Sequence, residues 1–260
     1  MSLVVHRWGD PALPAIFCVH GWASNAQVFK PLADLFHEHF HFVAVDLPGY
    51  GESEYATGDY DAEKLITDLL EVAPDDCAWL GWSLGGMLAI KAAYTHPDKV
   101  STVMTLCSNA KFIADKKFKH AVPQPLFNGF MESIDDARTT LRRFAALTVV
   151  GEQHDMLQSL KWLQQHTQVP APESEVLKAS LQCLAELDNQ VAIKNMQQPC
   201  LHMLATDDAI VPHQASQVLN QLNDKHLTSF VPNASHACLV TQPQLVANGI
   251  LTFMQGLQNA

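Results

Sequence analysis

Short apolar runs and helical stretches alternate along the first hundred residues. Ala15–Val19, His41–Val45, Ala78–Leu80 and Val103–Leu106 have strand length and strand character. Between them, Val28–His37, Ala62–Val72 and Leu84–His96 repeat apolar positions every three or four residues, the spacing that gives a helix one buried face. Such alternation predicts an α/β fold, a mostly parallel sheet with helices on both faces. The pattern resumes late, with Cys200–Ala205 and Leu227–Val231 strand-like and Gln214–Leu222 and Gln244–Gln255 helical. The middle differs. From about 111 to 188 the periodicity is helical, Pro123, Pro125, Pro170 and Pro172 interrupt it, and no run reads as a strand. The expected organisation is a core made of residues 1–110 and 189–260, with 111–188 inserted as a cap of about four helices.

Composition narrows the possible functions. A chain of 260 residues buries roughly 70–75% of its unfolded surface and needs no disulfide or metal to fold. Hydrophobic residues at 48% and charged residues at 17% exclude a disordered chain. No apolar run approaches the roughly 20 residues that span a bilayer, and Met1–Gly9 lacks the charged start and apolar core of a signal peptide. The expectation is a cytoplasmic protein without a membrane segment, acting as a monomer. A net charge of −11 argues against nucleic acid and anionic membranes as partners. Cys18, Cys77, Cys107, Cys183, Cys200 and Cys238 show no C-x-x-C spacing and read as reduced core residues. His37, His39 and His41 alternate without a further ligand at metal-site spacing, so neither metal nor cofactor is expected.

Charge is unevenly distributed. Residues 111–161 carry eight of the sixteen basic residues (Lys111, Lys116, Lys117, Lys119, Arg138, Arg142, Arg143 and Lys161) against six acidic ones. On a helix, Arg138 and Arg142 are neighbours at i, i+4, with Arg143 beside them. A solvated helix face explains this, and so does a docking patch for an acidic partner, since guanidinium forks suit carboxylates and phosphates.

The strongest chemical signal is Gly81-Trp82-Ser83-Leu84-Gly85-Gly86, between a strand and a helix. A strand turning abruptly into a helix presents a serine on a strained elbow, and the flanking glycines allow close backbone approach. Ser83 is therefore the candidate nucleophile. A serine hydroxyl needs a base, and the base needs an acid to orient it. Asp207 and Asp208 both follow the strand Cys200–Ala205. Asp208 leads into Ala209-Ile210-Val211-Pro212 and is the candidate acid, with Asp207 a loop neighbour. His236, after the last strand, is the candidate base; His213 sits at a helix start and His20 reads as a buried hydrogen-bonder. His20-Gly21-Trp22 ends an early strand, so the backbone N–H groups of Trp22 and Leu84 are the expected oxyanion donors.

With His20-Gly21-Trp22, Val45-Asp46-Leu47-Pro48-Gly49-Tyr50-Gly51-Glu52-Ser53, the Gly81–Gly86 motif, Asp208–Pro212 and Ser235-His236, the chain resembles the α/β-hydrolase superfamily over nearly its whole length. Within it, His96-Pro97 and Arg143-Phe144-Ala145-Ala146-Leu147 are similar to the carboxylesterases that cleave the methyl ester of pimeloyl-acyl-carrier protein in biotin synthesis. That resemblance implies a helical cap and release of methanol from a substrate borne on an acyl-carrier protein, with small-molecule esters as further substrates and no cofactor. It implies substrate contacts from Trp22, Ser83, Leu84, Phe144, Ala145, Ala146, Leu147, Thr148 and His236, and carrier-protein contacts from Arg138, Arg142 and Arg143. Phe144, Leu147 and Trp162 are candidates for the wall of an apolar channel. The sequence departs from the pattern at Arg138, displaced by one residue, at Thr148, where a glutamine is expected, and after Gly151, where Gln153, His154 and Met156 stand in place of further arginines. A short-chain carboxylesterase or a carbon–carbon bond hydrolase of the same fold shares the triad. Dehalogenases and epoxide hydrolases place Asp where Ser83 stands, and non-catalytic relatives commonly lack a triad member.

Overall fold

Strands apolar on both faces pair side by side and are then covered from both sides. In the computed structural model, β1 (Val5–Trp8), β2 (Ala15–Val19), β3 (His41–Val45), β4 (Cys77–Trp82), β5 (Val100–Leu106), β6 (Cys200–Ala205) and β7 (Leu227–Val231) form one sheet in the order β1-β3-β2-β4-β5-β6-β7. β1 runs antiparallel to β3, and every other neighbouring pair is parallel. The structure describes residues 3–116, 118–153 and 155–259; Met1, Ser2, Lys117, His154 and Ala260 lie outside the described residues.

The two-residue period of the strands sorts their side chains into two cores. Phe17, Val19, Val43, Val45, Trp79 and Val103 face one side, where α2 (Ala62–Val72), α3 (Leu84–Thr95), α8 (Gln190–Asn195) and α9 (Ala215–Leu222) pack. Ile16, Cys18, Phe42, Ala44, Leu80 and Met104 face the other, beneath α1 (Lys30–Phe36), α10 (Cys238–Thr241) and α11 (Pro243–Gln258). Helix α2 shows how the sequence enforces this: Asp61 caps the N–H groups of Glu63 and Lys64, and Leu65, Ile66 and Leu69 form its buried stripe.

Between β5 and β6 lie α4 (Gln124–Ser133), α5 (Ala137–Thr148), α6 (Met156–His166) and α7 (Ser174–Glu186). The two ends of this segment are pinned together. Lys111 and Asp188 form an isolated antiparallel bridge, and the Asn189 N–H donates to the Ala110 carbonyl at 2.8 Å. Three elements escape the sequence reading, among them the four-residue α10. β1 is a half-buried edge strand without clear alternation, and α8 is only six residues long. Among the described residues, no helix is long and apolar enough to cross a membrane.

Close packing is tightest where β4 turns into α3. A Cβ on Gly85 would lie 1.9 Å from the Val19 carbonyl oxygen and 2.8 Å from that of His20. Gly129, inside α4, has nothing within 4 Å of the same position. Gly85→Ala is therefore expected to destabilise the fold by about 3 kcal/mol. Gly129→Ala should be neutral or stabilising by about 0.5–1 kcal/mol. Urea unfolding midpoints of the two variants check the contrast.

Candidate active site

The loops that follow β2, β4, β6 and β7 meet at the carboxyl edge of the sheet, where open α/β sheets bind ligands. Ser83 stands at the elbow between β4 and α3 with φ 55° and ψ −117°, a left-handed conformation unfavourable for a side-chain-bearing residue. Its backbone is held from several directions. The N–H donates to the Leu106 carbonyl at 2.9 Å, and the carbonyl accepts from the Ser108 hydroxyl at 2.8 Å and from the Gly86 N–H at 3.0 Å.

Asp208 lies three residues beyond β6. Its Oδ1 accepts the N–H groups of Ile210 at 2.7 Å and Val211 at 2.9 Å, which directs Oδ2 toward His236. His236 Nδ1 is 2.7 Å from that oxygen, and both side chains are buried. With Asp208 ionised, Nδ1 carries the hydrogen and Nε2 presents its lone pair. Nε2 is buried with no hydrogen-bond partner among the described residues, so no bond to the Ser83 hydroxyl is made in this structure. Asp207 takes a different role. Its N–H donates to the Ala234 carbonyl, and its side chain accepts from Gln153.

The turn after β2 packs directly on the elbow: a Cβ on Gly21 would stand 3.0 Å from Ser83 Cβ. Neither the Trp22 nor the Leu84 N–H donates a hydrogen bond to another described residue. Leu84 opens α3, whose first amides lack intrahelical acceptors. His20 is a structural link. Its Nδ1 donates to the Gly21 carbonyl at 2.7 Å, its Nε2 accepts from the Leu47 N–H at 2.9 Å, and burial lowers its pKa to about 4. His213 bonds the Thr206 carbonyl.

The helices between β5 and β6 close over this floor. Trp22 donates from Nε1 to the Leu177 carbonyl of α7 at 3.0 Å and meets Phe144 of α5 edge-on at 4.7 Å. Phe130 of α4 completes an aromatic triangle. Phe144 and Leu147 line a void of about 20 Å³ with Trp22, while Phe144, Ala145 and Thr148 line one of about 10 Å³ with Trp22 and Trp82. Ala146 is exposed, and Trp162 stacks on His166 outside both voids, whereas Leu163 lines the second. Arg138, Arg142 and Arg143 are all exposed on α5. The sequence reading gave no role to Trp82, whose Nε1 donates to the His236 carbonyl at 3.0 Å with its ring 5.3 Å from the imidazole. No local pattern signals that contact, because 154 residues separate the two.

A strand–elbow–helix serine, a buried His–carboxylate pair and two free amides define a hydrolase of the α/β class. The alpha/beta hydrolase family model matches residues 16–248, and the chain belongs to that family. It is 34% identical over 255 residues to the pimeloyl-[acyl-carrier protein] methyl ester esterase of Vibrio vulnificus, covering 97% of this chain and 99% of that one. It is 32% identical over 248 residues to the biotin biosynthesis bifunctional protein BioHC of Cellvibrio japonicus, covering 95% of this chain. The chain spans about half the length of that bifunctional relative, 49%. An esterase from Exiguobacterium antarcticum superimposes with a TM-score of 0.87 at 16% identity, covering 97% of this chain and 95% of that one; this likeness is one of fold.

The two oxygens of Asp208 can be tested apart. Asp208→Ala orphans two buried amides and the Nδ1 hydrogen, so it should cost about 2–4 kcal/mol of stability. Asp208→Asn retains an acceptor for Ile210 and Val211, so its melting temperature should stay near that of the parent. Ester turnover should nevertheless fall roughly 10⁴-fold, because the amide favours the wrong imidazole tautomer. Melting curves and turnover on a chromogenic ester separate the two effects.

Proposed function

We propose that this protein is a serine carboxylesterase that hydrolyses the methyl ester of pimeloyl-acyl-carrier protein, yielding methanol and pimeloyl-acyl-carrier protein for biotin synthesis. The observation that carries the catalytic part is the buried imidazole of His236, tied to Asp208 at 2.7 Å on one nitrogen and unpaired on the other. The pimeloyl-[acyl-carrier protein] methyl ester esterases that match nearly the whole chain support the substrate.

In this reading, a rotation of the Ser83 side chain brings Oγ to Nε2. Catalytic hydrogen bonds of unliganded sites are commonly long or unmade until substrate binds. His236 takes the hydroxyl proton as Oγ attacks the ester carbonyl, and Asp208 stabilises the imidazolium. The Trp22 and Leu84 amides receive the oxyanion, each such donor being worth about 2.7–4 kcal/mol in the transition state. His236 then protonates the departing methanol. Water, deprotonated by His236, attacks the acyl-serine and frees the carboxylic acid.

The cap selects the substrate. The voids beside Trp22 and Phe144 are too small for an acyl chain, so admitting one requires the rings of Trp22, Phe130 and Phe144 to part. On the outer face of the same α5 helix, Arg138, Arg142 and Arg143 offer cations to an acidic carrier protein. Six free, buried cysteines suit the reducing cytoplasm.

The decisive experiment is rescue of a biotin-requiring strain that lacks its own esterase. Wild type should restore growth, and Ser83→Ala should not; equal rescue by both would overturn the assignment. In vitro, Ser83→Ala should lower ester turnover by several orders of magnitude with the fold intact. The Arg142→Glu, Arg143→Glu double variant should lose activity on carrier-protein esters, most strongly at low salt, and keep it on small esters. Equal loss on both substrates would trace the effect to the cap's folding instead of docking.

A further inference from the structure

At the opposite end of β6 from Asp208, three metal-competent side chains converge beneath the sheet surface. Cys200 and His202 are two residues apart on β6 and therefore share a face. His226 immediately precedes β7, whose parallel register pairs Leu227 with Leu201, so His226 stands beside Cys200. Cys200 Sγ is 3.5 Å from His202 Nε2, and His202 Nε2 is 3.3 Å from His226 Nδ1. All three donor atoms lie within 4.8 Å of one another, and all three residues are buried.

The nitrogen–nitrogen separation matches the edge of a tetrahedral site, while Cys200 Sγ, 4.0 Å from His202 Nδ1 as well, flanks the imidazole and reaches the same centre by turning about its Cα–Cβ bond. Zinc–nitrogen bonds of about 2.0–2.1 Å and a zinc–sulfur bond of about 2.3 Å require N···N edges of roughly 3.3–3.4 Å and N···S edges of roughly 3.5–3.6 Å. We propose that Cys200, His202 and His226 form a binding site for one zinc-like divalent cation that ties edge strand β7 to β6.

Two further observations support the site. Thr105, opposite His202 in the β5–β6 register, has its hydroxyl 2.9 Å from His202 Nδ1. That contact occupies Nδ1 and leaves Nε2 for the trio, the arrangement by which outer groups orient metal-bound histidines. His226 also lines a cleft of about 660 Å³ with Met196, Gln198 and Asn223, a route for the ion. Binding would displace the Cys200 thiol proton to solvent and leave one coordination position for water.

A second cluster of similar size among the described residues, Cys107, Asp208 and His236, is a poorer candidate. Its carboxylate and imidazole are bonded to each other at 2.7 Å, and Asp208 Oδ1 already accepts two amides. The proposed cation site lies at the far end of the sheet and is independent of the esterase reading.

The test uses the full chain, reduced, stripped with chelator and titrated anaerobically with Co²⁺ alone. One equivalent should bind and produce the near-ultraviolet thiolate-to-cobalt absorption band, which Zn²⁺ should then bleach by displacement. Zinc should also raise the melting temperature, since it binds only the folded arrangement. Cys200→Ser should abolish the band, and Thr105→Val should weaken binding roughly 10–100-fold. Cys183→Ser should change neither. Should Cys200→Ser fail to fold, His226→Gln at the cleft margin gives the same reading through at least a tenfold loss of cobalt affinity. Absence of a saturable band in the wild type, its survival in Cys200→Ser, or its loss in Cys107→Ser instead would overturn the site.

Discussion

Ser83 sits at φ 55° and ψ −117°, a conformation that costs a side-chain-bearing residue on the order of 1–3 kcal/mol. The surroundings impose it. β2, β4 and the first turn of α3 approach so closely that a Cβ on Gly81 would lie 2.2 Å from the Gly85 carbonyl oxygen, and one on Gly86 2.6 Å from Ser108 Cβ. With three glycines removing those clashes, the Leu106 carbonyl and the Ser108 hydroxyl fix the peptide groups on either side of Ser83. The same compression brings the Gly21 turn against Ser83 Cβ and leaves the Leu84 amide at an open helix end. Strain at Ser83 and the two free amides are thus one packing event.

The remaining chemical groups come from sequence positions more than a hundred residues away and are aligned by the parallel sheet. Because neighbouring strands run in the same direction, the segments after β4, β6 and β7 all emerge at one edge. The Asp208 turn spends one carboxylate oxygen on its own backbone and leaves the other for His236, so a single imidazole nitrogen is satisfied. Trp82 fixes the backbone carbonyl of that histidine from the residue preceding Ser83. The elbow and the imidazole are therefore coupled through a third side chain as well as through the sheet.

The parts of this fold that repeat with a fixed period, or that demand glycine, were legible in the sequence. Helix α2 occupies Ala62–Val72, as its spacing implies, because Asp61 caps it and one apolar stripe faces the sheet. Strand β6 is buried along its whole length because both its faces are covered. β1 was not legible, since an edge strand with half-buried positions carries little alternation. Of the run from Phe144 to Thr148, helical geometry buries Phe144, Ala145 and Thr148 and leaves Ala146 exposed, a distinction that the motif alone does not make. The trio of Cys200, His202 and His226 was invisible for another reason. Only the i, i+2 half lies in one strand, and the third member arrives through β6–β7 register, which no local spacing encodes.

Helix α5 joins two surfaces with different physical demands. Its inner face carries Phe144 against Trp22, an edge-to-face pair worth about 0.5–1.5 kcal/mol beyond its buried area. Its outer face carries Arg138, Arg142 and Arg143, whose attraction to an acidic surface is long-ranged and screened by salt. Under the proposed function, a carrier protein that pulls on the outer face acts on the helix that seals the inner one. A few charge pairs at a protein interface are comparable with the aromatic term of one ring contact, so docking contributes part of the energy that parts the rings. A small ester gains nothing from the arginines and must part the rings by its own binding. The arrangement favours substrates borne on an acidic protein through the opening step and leaves the chemistry at Ser83 unchanged.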